Sequence, residues 1–232
     1  MKILVLSSGG IDSTTCLALA VAKYGAGQVA SLSLFYGQKH SRELAAAQKL
    51  ADYYNVRHIE LDLSSVFAQC DCSLLSHSAK AIPHTPYAEQ LAEQGGRPVV
   101  TYVPFRNGLF IAAAASVADG LGCSEIWYGA HKDDAAGNAY PDCSEPFYAA
   151  MNKAIIEGTG GAVCLAAPFI NSNKAGVVAQ GLRLHVPYEL TWSCYEGGDL
   201  PCGVCATCRD RIEAFRCNGT ADPLEYAEVK ED

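Results

Sequence analysis

The apolar positions along the chain form short runs separated by longer segments of helical period. Ile3 to Ser7 is such a run, broken by Ser8-Gly9-Gly10, and from about Ser13 to Tyr24 alanine and leucine predominate, which favours a helix. Val29 to Phe35 reads as a second strand, ended by Tyr36-Gly37. Leu44, Ala47, Ala51 and Tyr54 then share one face at helical spacing. Val56 to Leu61, Glu125 to Ala130 and Val163 to Phe169 are the third, fourth and fifth strand candidates, and an alanine-rich helix beginning near Asn107 precedes the fourth. This alternation predicts an α/β fold: a doubly wound, mostly parallel sheet with helices on both faces. Residues 70–100, rich in Ser, His, Pro and Gly, read as a lid or binding excursion inside the domain. After about Tyr188 the chain turns to Cys and Gly. The expected division is a nucleotide-binding α/β domain over 1–187 and a small zinc-binding module over 188–232 packed on it.

Composition narrows the function classes. Half of the 232 residues are hydrophobic and 18% are charged, a globular balance. No apolar stretch approaches the roughly 20 residues that span a bilayer, and the first strand lacks a cleavage site behind it. A cytoplasmic protein without a membrane partner is expected. The net charge of −8, with Lys and Arg scattered, argues against a nucleic-acid partner. Eleven cysteines in such a chain point to metal or core positions before disulfides.

Ser8-Gly9-Gly10-Ile11-Asp12-Ser13 lies between the first strand and the first helix. Its glycines allow a tight turn that gathers backbone N–H groups, and the helix that follows points its positive end at the same place, which makes an anion site. Ser8 and Ser13 add hydroxyls, and Asp12 suits capping or Mg²⁺. The loop lacks the Lys of a Walker sequence and the third Gly of a dinucleotide fingerprint. It resembles the pyrophosphate loop of the N-type ATP pyrophosphatases. That resemblance implies a nucleotide site running from Ser7 through Ser8, Gly9, Gly10, Ile11, Asp12, Ser13, Thr14, Thr15 and Cys16 to Leu17.

Cys194, Cys202, Cys205 and Cys208 supply four sulfurs at spacings suited to one tetrahedral, structural Zn²⁺ per chain, with no open position for catalysis. Spacing alone does not separate zinc from an iron–sulfur cluster. Arg209 and Arg211 follow at once, as charges that would favour nearby thiolates.

With these features in place the chain closely resembles the 7-cyano-7-deazaguanine synthases of the queuosine precursor pathway. The resemblance runs nearly end to end. It is carried by the phosphate loop, Phe35-Tyr36-Gly37-Gln38-Lys39-His40, Val103-Pro104-Phe105-Arg106-Asn107, Tyr140-Pro141-Asp142-Cys143, and the cysteine cluster opened by Thr191-Trp192-Ser193-Cys194-Tyr195. It implies an ATP-dependent carbon–nitrogen ligase that converts 7-carboxy-7-deazaguanine and ammonia to the nitrile. ATP with Mg²⁺ is a substrate, adenylated acid and amide are intermediates, AMP and pyrophosphate leave, and the enzyme forms a homodimer. On that reading Arg106 meets a phosphate or the substrate carboxylate. Lys39 neutralises phosphate or is a solvated helix-start lysine. His40 shuttles a proton from ammonia or is a packed or capping residue. Asp134, or its neighbour Asp133, holds Mg²⁺ or reads the guanine-like edge, with Asp142 as the rival for the second task. Cys143 is a packing or substrate-lining residue. Phe105 stands where the family often has a small residue, and is expected to narrow a pocket.

Overall fold

The computed structural model describes residues 1–228, so the last four positions of the expected C-terminal module lie outside the described residues. Five strands, β1 (Ile3–Leu6), β2 (Val29–Phe35), β3 (Arg57–Asp62), β4 (Glu125–Trp127) and β5 (Cys164–Ala166), form one sheet in the order β3-β2-β1-β4-β5. Every pairing is parallel, with Ile3 opposite Val29 on one side and Glu125 on the other. The chain builds outward from β1 through β2 to β3, then returns to β4 on the opposite flank. That reversal leaves a crevice at the carboxyl ends of β1 and β4, where open α/β sheets bind their ligands.

Alternation along β1 sends Leu4 to one face and Ile3 and Val5 to the other. Leu4, Leu32 and Ile126 pack against α4 (Arg106–Gly120) and α5 (Glu145–Gly158) through Ile111, Ala114, Ala118 and Ile155. Ile3, Val5 and Trp127 pack against α1 (Ile11–Tyr24) and α6 (Lys174–Arg183) through Leu17, Ala20, Val177 and Val178. The last helix, α7 (Ala206–Cys217), adds Ala214 and Phe215 to this second cluster, so the C-terminal segment shares the core of the sheet.

Two strand candidates end early. β4 stops at Trp127 and β5 at Ala166, although Tyr128, Ala130, Ala167 and Phe169 remain buried. Burial continues past the ladder because Tyr128 and Ala130 line the crevice while Ala167 and Phe169 join the two core clusters, and a hydrophobic pattern reports burial more directly than hydrogen bonding. The 70–100 excursion contains a helix, α3 (Tyr87–Gln94), after α2 (Arg42–Tyr53) and β3. Leu74, Leu75 and Ile82 of the excursion form a third apolar cluster with Tyr36, Trp192 and the buried cysteines Cys194, Cys205 and Cys208. The excursion and the cysteine segment are thus one packed cover over the crevice. No helix among the described residues is long and apolar enough to cross a membrane.

Candidate active site

The crevice encloses about 250 Å³ and runs from the loop after β1 to a cluster of aromatic side chains under the excursion. At one end Ser7, Ser8, Gly10, Asp12 and Ser13 face the cleft. The loop seals itself: the Ser8 amide donates to Ser13 Oγ at 3.2 Å, and Ser13 Oγ donates to the Gly10 carbonyl at 3.2 Å. Gly9 has φ +82, and a Cβ there would sit 2.4 Å from the Glu43 carbonyl oxygen, so only glycine fits between the loop and α2. The amide of Trp192 donates to the Gly9 carbonyl at 2.8 Å and fixes the loop from the C-terminal segment.

The rest of the expected nucleotide stretch faces away from the cleft. Ile11, Cys16 and Leu17 belong to the apolar cluster behind α1. Thr14 Oγ1 donates to the Gly10 carbonyl, and Thr15 Oγ1 to Ile11 with Tyr188 OH also 2.8 Å away. Gly9 contributes its backbone rather than the lining.

Gly129, just past β4, lets the two loops meet, since a Cβ there would lie 2.8 Å from the Asp12 backbone. The approach brings Asp134 and His131 to Asp12. Lys174, the first residue of α6, closes the group with Nζ on Asp12 Oδ2. His131 Nε2 is 3.6 Å from Asp12 Oδ1 and 3.4 Å from Asp134 Oδ1. Burial pushes the Asp12 carboxyl upward, but Lys174 and His131 outweigh it and hold Asp12 below the usual carboxylate range. Asp134 goes the other way, raised by burial and by the charge of Asp12. Asp133 does not line the cleft, and its carboxylate accepts from the Lys174 amide at 2.8 Å at the start of α6. Of the two neighbouring aspartates, Asp134 is the one that faces the cavity.

Arg106 stands at the other end. Its guanidinium lies 5.0 Å from the centre of the Tyr36 ring and 5.9 Å from that of Phe110, and Nη1 donates to Tyr36 OH at 3.1 Å. Among the described residues it has no carboxylate in an ion pair. Beside it the hydroxyls of Tyr87, Tyr140 and Tyr195 converge, 3.0 Å apart for Tyr87 and Tyr195, with Thr101 Oγ1 2.6 Å from Tyr140 OH. Burial raises the Tyr87 and Tyr195 hydroxyls well above the usual phenol range, so they meet a ligand as neutral groups. Asp142 does not reach the cavity. Its Oδ2 accepts from the Asn107 amide at 2.8 Å and anchors the first turn of α4, which presents Arg106. Cys143 lines the cleft beside Asn107 Nδ2, and burial pushes its thiol well up, away from a thiolate nucleophile.

Three other expectations land elsewhere. Lys39 is exposed and donates to the Lys80 carbonyl at 2.9 Å, tying down the excursion. His40 packs edge-on to Trp192 with ring centres 6.3 Å apart, off the cleft lining. Phe105 points to solvent, 57% exposed, so it does not narrow the pocket. Sequence reading missed Lys174, Glu43, Asp210 and the tyrosine cluster. Lys174 stands after the fifth strand, as Asp134 does after the fourth, and that placement is the one signal that would have found it.

The four cysteine sulfurs all lie within 4.8 Å of one another, a set that fits one metal ion. Backbone amides point at them: Cys202 N at 3.3 Å from Cys194 Sγ and Cys205 N at 3.3 Å from Cys202 Sγ. Arg211 turns away from the sulfurs. It is fully buried and pairs with Asp222, with Nη1 on Thr191 Oγ1 at 2.6 Å, so its charge is spent clamping the C-terminal tail. Arg209 donates to the Val204 carbonyl at 3.1 Å.

A 7-cyano-7-deazaguanine synthase of Archaeoglobus fulgidus is 42% identical over 97% of this chain and 90% of its own length. One of Caldicellulosiruptor saccharolyticus is 41% identical over 97% and 96%. The NMN synthetase of Francisella tularensis shares the fold, with a TM-score of 0.52 at 17% identity over 94% of this chain and 77% of that one. Residues 2–219 match the family described as queuosine biosynthesis protein QueC, and the chain belongs to that family.

Proposed function

We propose that this protein is a 7-cyano-7-deazaguanine synthase: it adenylates 7-carboxy-7-deazaguanine, joins it to ammonia, and adenylates the resulting amide to release the nitrile with two AMP and two pyrophosphate. The observation that carries the reading is a single cleft with a self-bonded phosphate loop at one end and at the other a cation, Arg106, that makes no ion pair among the described residues. A carboxylate is a poor electrophile, and exchanging its oxygen for AMP supplies a good leaving group. Such chemistry needs no side-chain nucleophile, only alignment and charge stabilisation.

The phosphates of ATP lie along Ser8, Gly10 and Ser13, whose mutual hydrogen bonds open to accept them. Lys174 moves from Asp12 to the phosphoryl oxygens as charge builds there. Asp12 Oδ1 is buried without a hydrogen-bond partner and faces Asp134 across His131, a donor set that fits the Mg²⁺ carried by ATP. When bound, Mg²⁺ neutralises phosphate charge. Arg106 takes the substrate carboxylate as a two-pronged donor, and the neutral tyrosine hydroxyls serve the polar edge of the heterocycle. Four thiolates, amide-bonded and largely buried, suit structural Zn²⁺, held by Cys194, Cys202, Cys205 and Cys208. A homodimer is the assembly the family resemblance implies, and light scattering tests it.

Incubation with ATP, Mg²⁺, ammonium and 7-carboxy-7-deazaguanine, read by mass spectrometry, should yield the nitrile with AMP and pyrophosphate. Intact acid with unconsumed ATP would overturn the reading.

A further inference from the structure

Glu43 lies in the first turn of α2, and its carboxylate opens into the cleft between the phosphate loop and Arg106. Its backbone carbonyl packs against Gly9, which fixes the residue beside the loop. Of the other acidic residues of the site, Asp12 is paired with Lys174, Asp134 is set against His131 and Asp142 anchors α4, while Asp210, at the phosphate end, lies in the field of Lys174 without a hydrogen bond or ion pair among the described residues. The Glu43 carboxylate makes no hydrogen bond or ion pair among the described residues, yet acts electrostatically on both Arg106 and the Tyr36 hydroxyl. An acidic group has thus been left unbonded beside the place where the proposed function puts the activated carboxyl carbon.

Resting on that reading, we infer that Glu43 is a further catalytic residue, which draws ammonium into the cleft and takes a proton from it to free the attacking ammonia. Ammonium is the dominant form at neutral pH and has no lone pair to attack with, so a reaction that uses it needs a proton acceptor at the site. The attraction for a small cation comes from the Glu43 carboxylate itself, since the faces of Tyr36 and Phe110 are already taken by the Arg106 guanidinium. One proton passes from ammonium to the Glu43 carboxylate. The nitrogen lone pair forms the C–N bond, the C–O bond to AMP breaks with its electron pair leaving on the phosphate oxygen, and the surplus proton on the new amide nitrogen passes to water in the open cleft. Burial raises the Glu43 carboxyl above the usual carboxylate range against the opposing pull of Arg106, a direction that favours a carboxylate able to accept a proton.

The test compares nucleophiles in Glu43→Gln. Acid-dependent exchange of labelled pyrophosphate into ATP reads adenylation alone. Hydroxylamine, already neutral at pH 7, reads amination without proton removal. The expected result is loss of ammonium-dependent turnover by about 100-fold or more, with exchange and hydroxamate formation within a few-fold of the parent protein. Equal loss with both nucleophiles, or loss of exchange, would overturn the assignment, because Glu43 would then act in positioning or adenylation. Unaltered ammonium turnover would overturn it as well. Parent protein that shows no exchange with 7-carboxy-7-deazaguanine would instead remove the proposed function, and the assignment with it.

Discussion

The two ends of the cleft handle charge in opposite ways. At the phosphate end the groups bond to one another, Lys174 on Asp12 and His131 between Asp12 and Asp134, with the Ser8 hydroxyl on that of Ser13. At the far end Arg106 bonds to a phenol and faces two aromatic rings, with Glu43 and Asp142 acting on it through space and no ion pair among the described residues. A ligand at the first end must exchange one set of partners for another, so its net gain is modest until charge develops on it. A ligand at the second supplies a counter-charge that is missing, and the gain arrives on binding. Under the proposed function, this difference gives transition-state stabilisation to the loop and substrate selection to Arg106.

The cysteine segment is joined to both ends, which makes the metal proposed for its four cysteines the strongest lever. Trp192 holds Gly9 from one side, and Tyr195, next to Cys194, brings its hydroxyl to Tyr87 on the other. Structural zinc contributes about 10–16 kcal/mol in small peptides, as much as the whole stability of many domains. Stripping the metal with a chelator should therefore abolish both ATP binding and acid binding, measured separately by calorimetry, while the parallel sheet keeps its far-ultraviolet signal. Loss at one end alone would show that the cover is two independent parts.

Lys174→Met breaks the comparison at the phosphate end. Removing a cation aimed at developing phosphoryl charge should lower kcat by about 100- to 1,000-fold. It also leaves Asp12 without its partner. Asp12 keeps a quarter of its side-chain exposure, so the stability cost should be about 2 kcal/mol rather than the larger figure for a fully buried pair. Arg106→Met is the counterpart. KM for the acid should rise about 10- to 100-fold, or about 1.4–2.8 kcal/mol, with KM for ATP unchanged. Stability should fall less than in Lys174→Met, since the guanidinium makes no ion pair among the described residues and meets Glu43 and Asp142 only through space. If both variants lost stability equally, the contrast between the two ends would be wrong.

The same contrast explains what was legible in the chain. The phosphate end rests on six consecutive residues whose spacing dictates a turn and a helix start, and Arg106 sits in a contiguous motif. Lys174 pairs with Asp12 across 162 positions and reads locally as an ordinary helix-start lysine. Tyr87, Tyr140 and Tyr195 come from three separate segments, and nothing in the local pattern of any one announces the others. Glu43 carries no local signal in the first turn of its helix, because the cover that closes over it is made of the excursion and the cysteine segment. Phosphate-loop chemistry is written locally, whereas the substrate end is written only in how distant segments close over the sheet.

Phe105 offers the smallest effect and the sharpest check on where the site ends. It adopts the left-handed conformation at φ +54 just before Arg106, its ring over Gly108 and edge-on to Phe147 with ring centres 5.8 Å apart. Phe105→Gly should relieve about 1 kcal/mol of backbone strain. Against this stand the aromatic contact, worth about 0.5–1.5 kcal/mol, and the added freedom of glycine in the unfolded chain. The terms nearly cancel, so thermal unfolding should place the variant within about 1 kcal/mol of the parent. Its KM for the acid should not change, because the ring faces solvent while Asp142 holds the turn that presents Arg106. An altered KM would move Phe105 into the substrate end, and selection would then belong to the strained turn as a whole rather than to the guanidinium it carries.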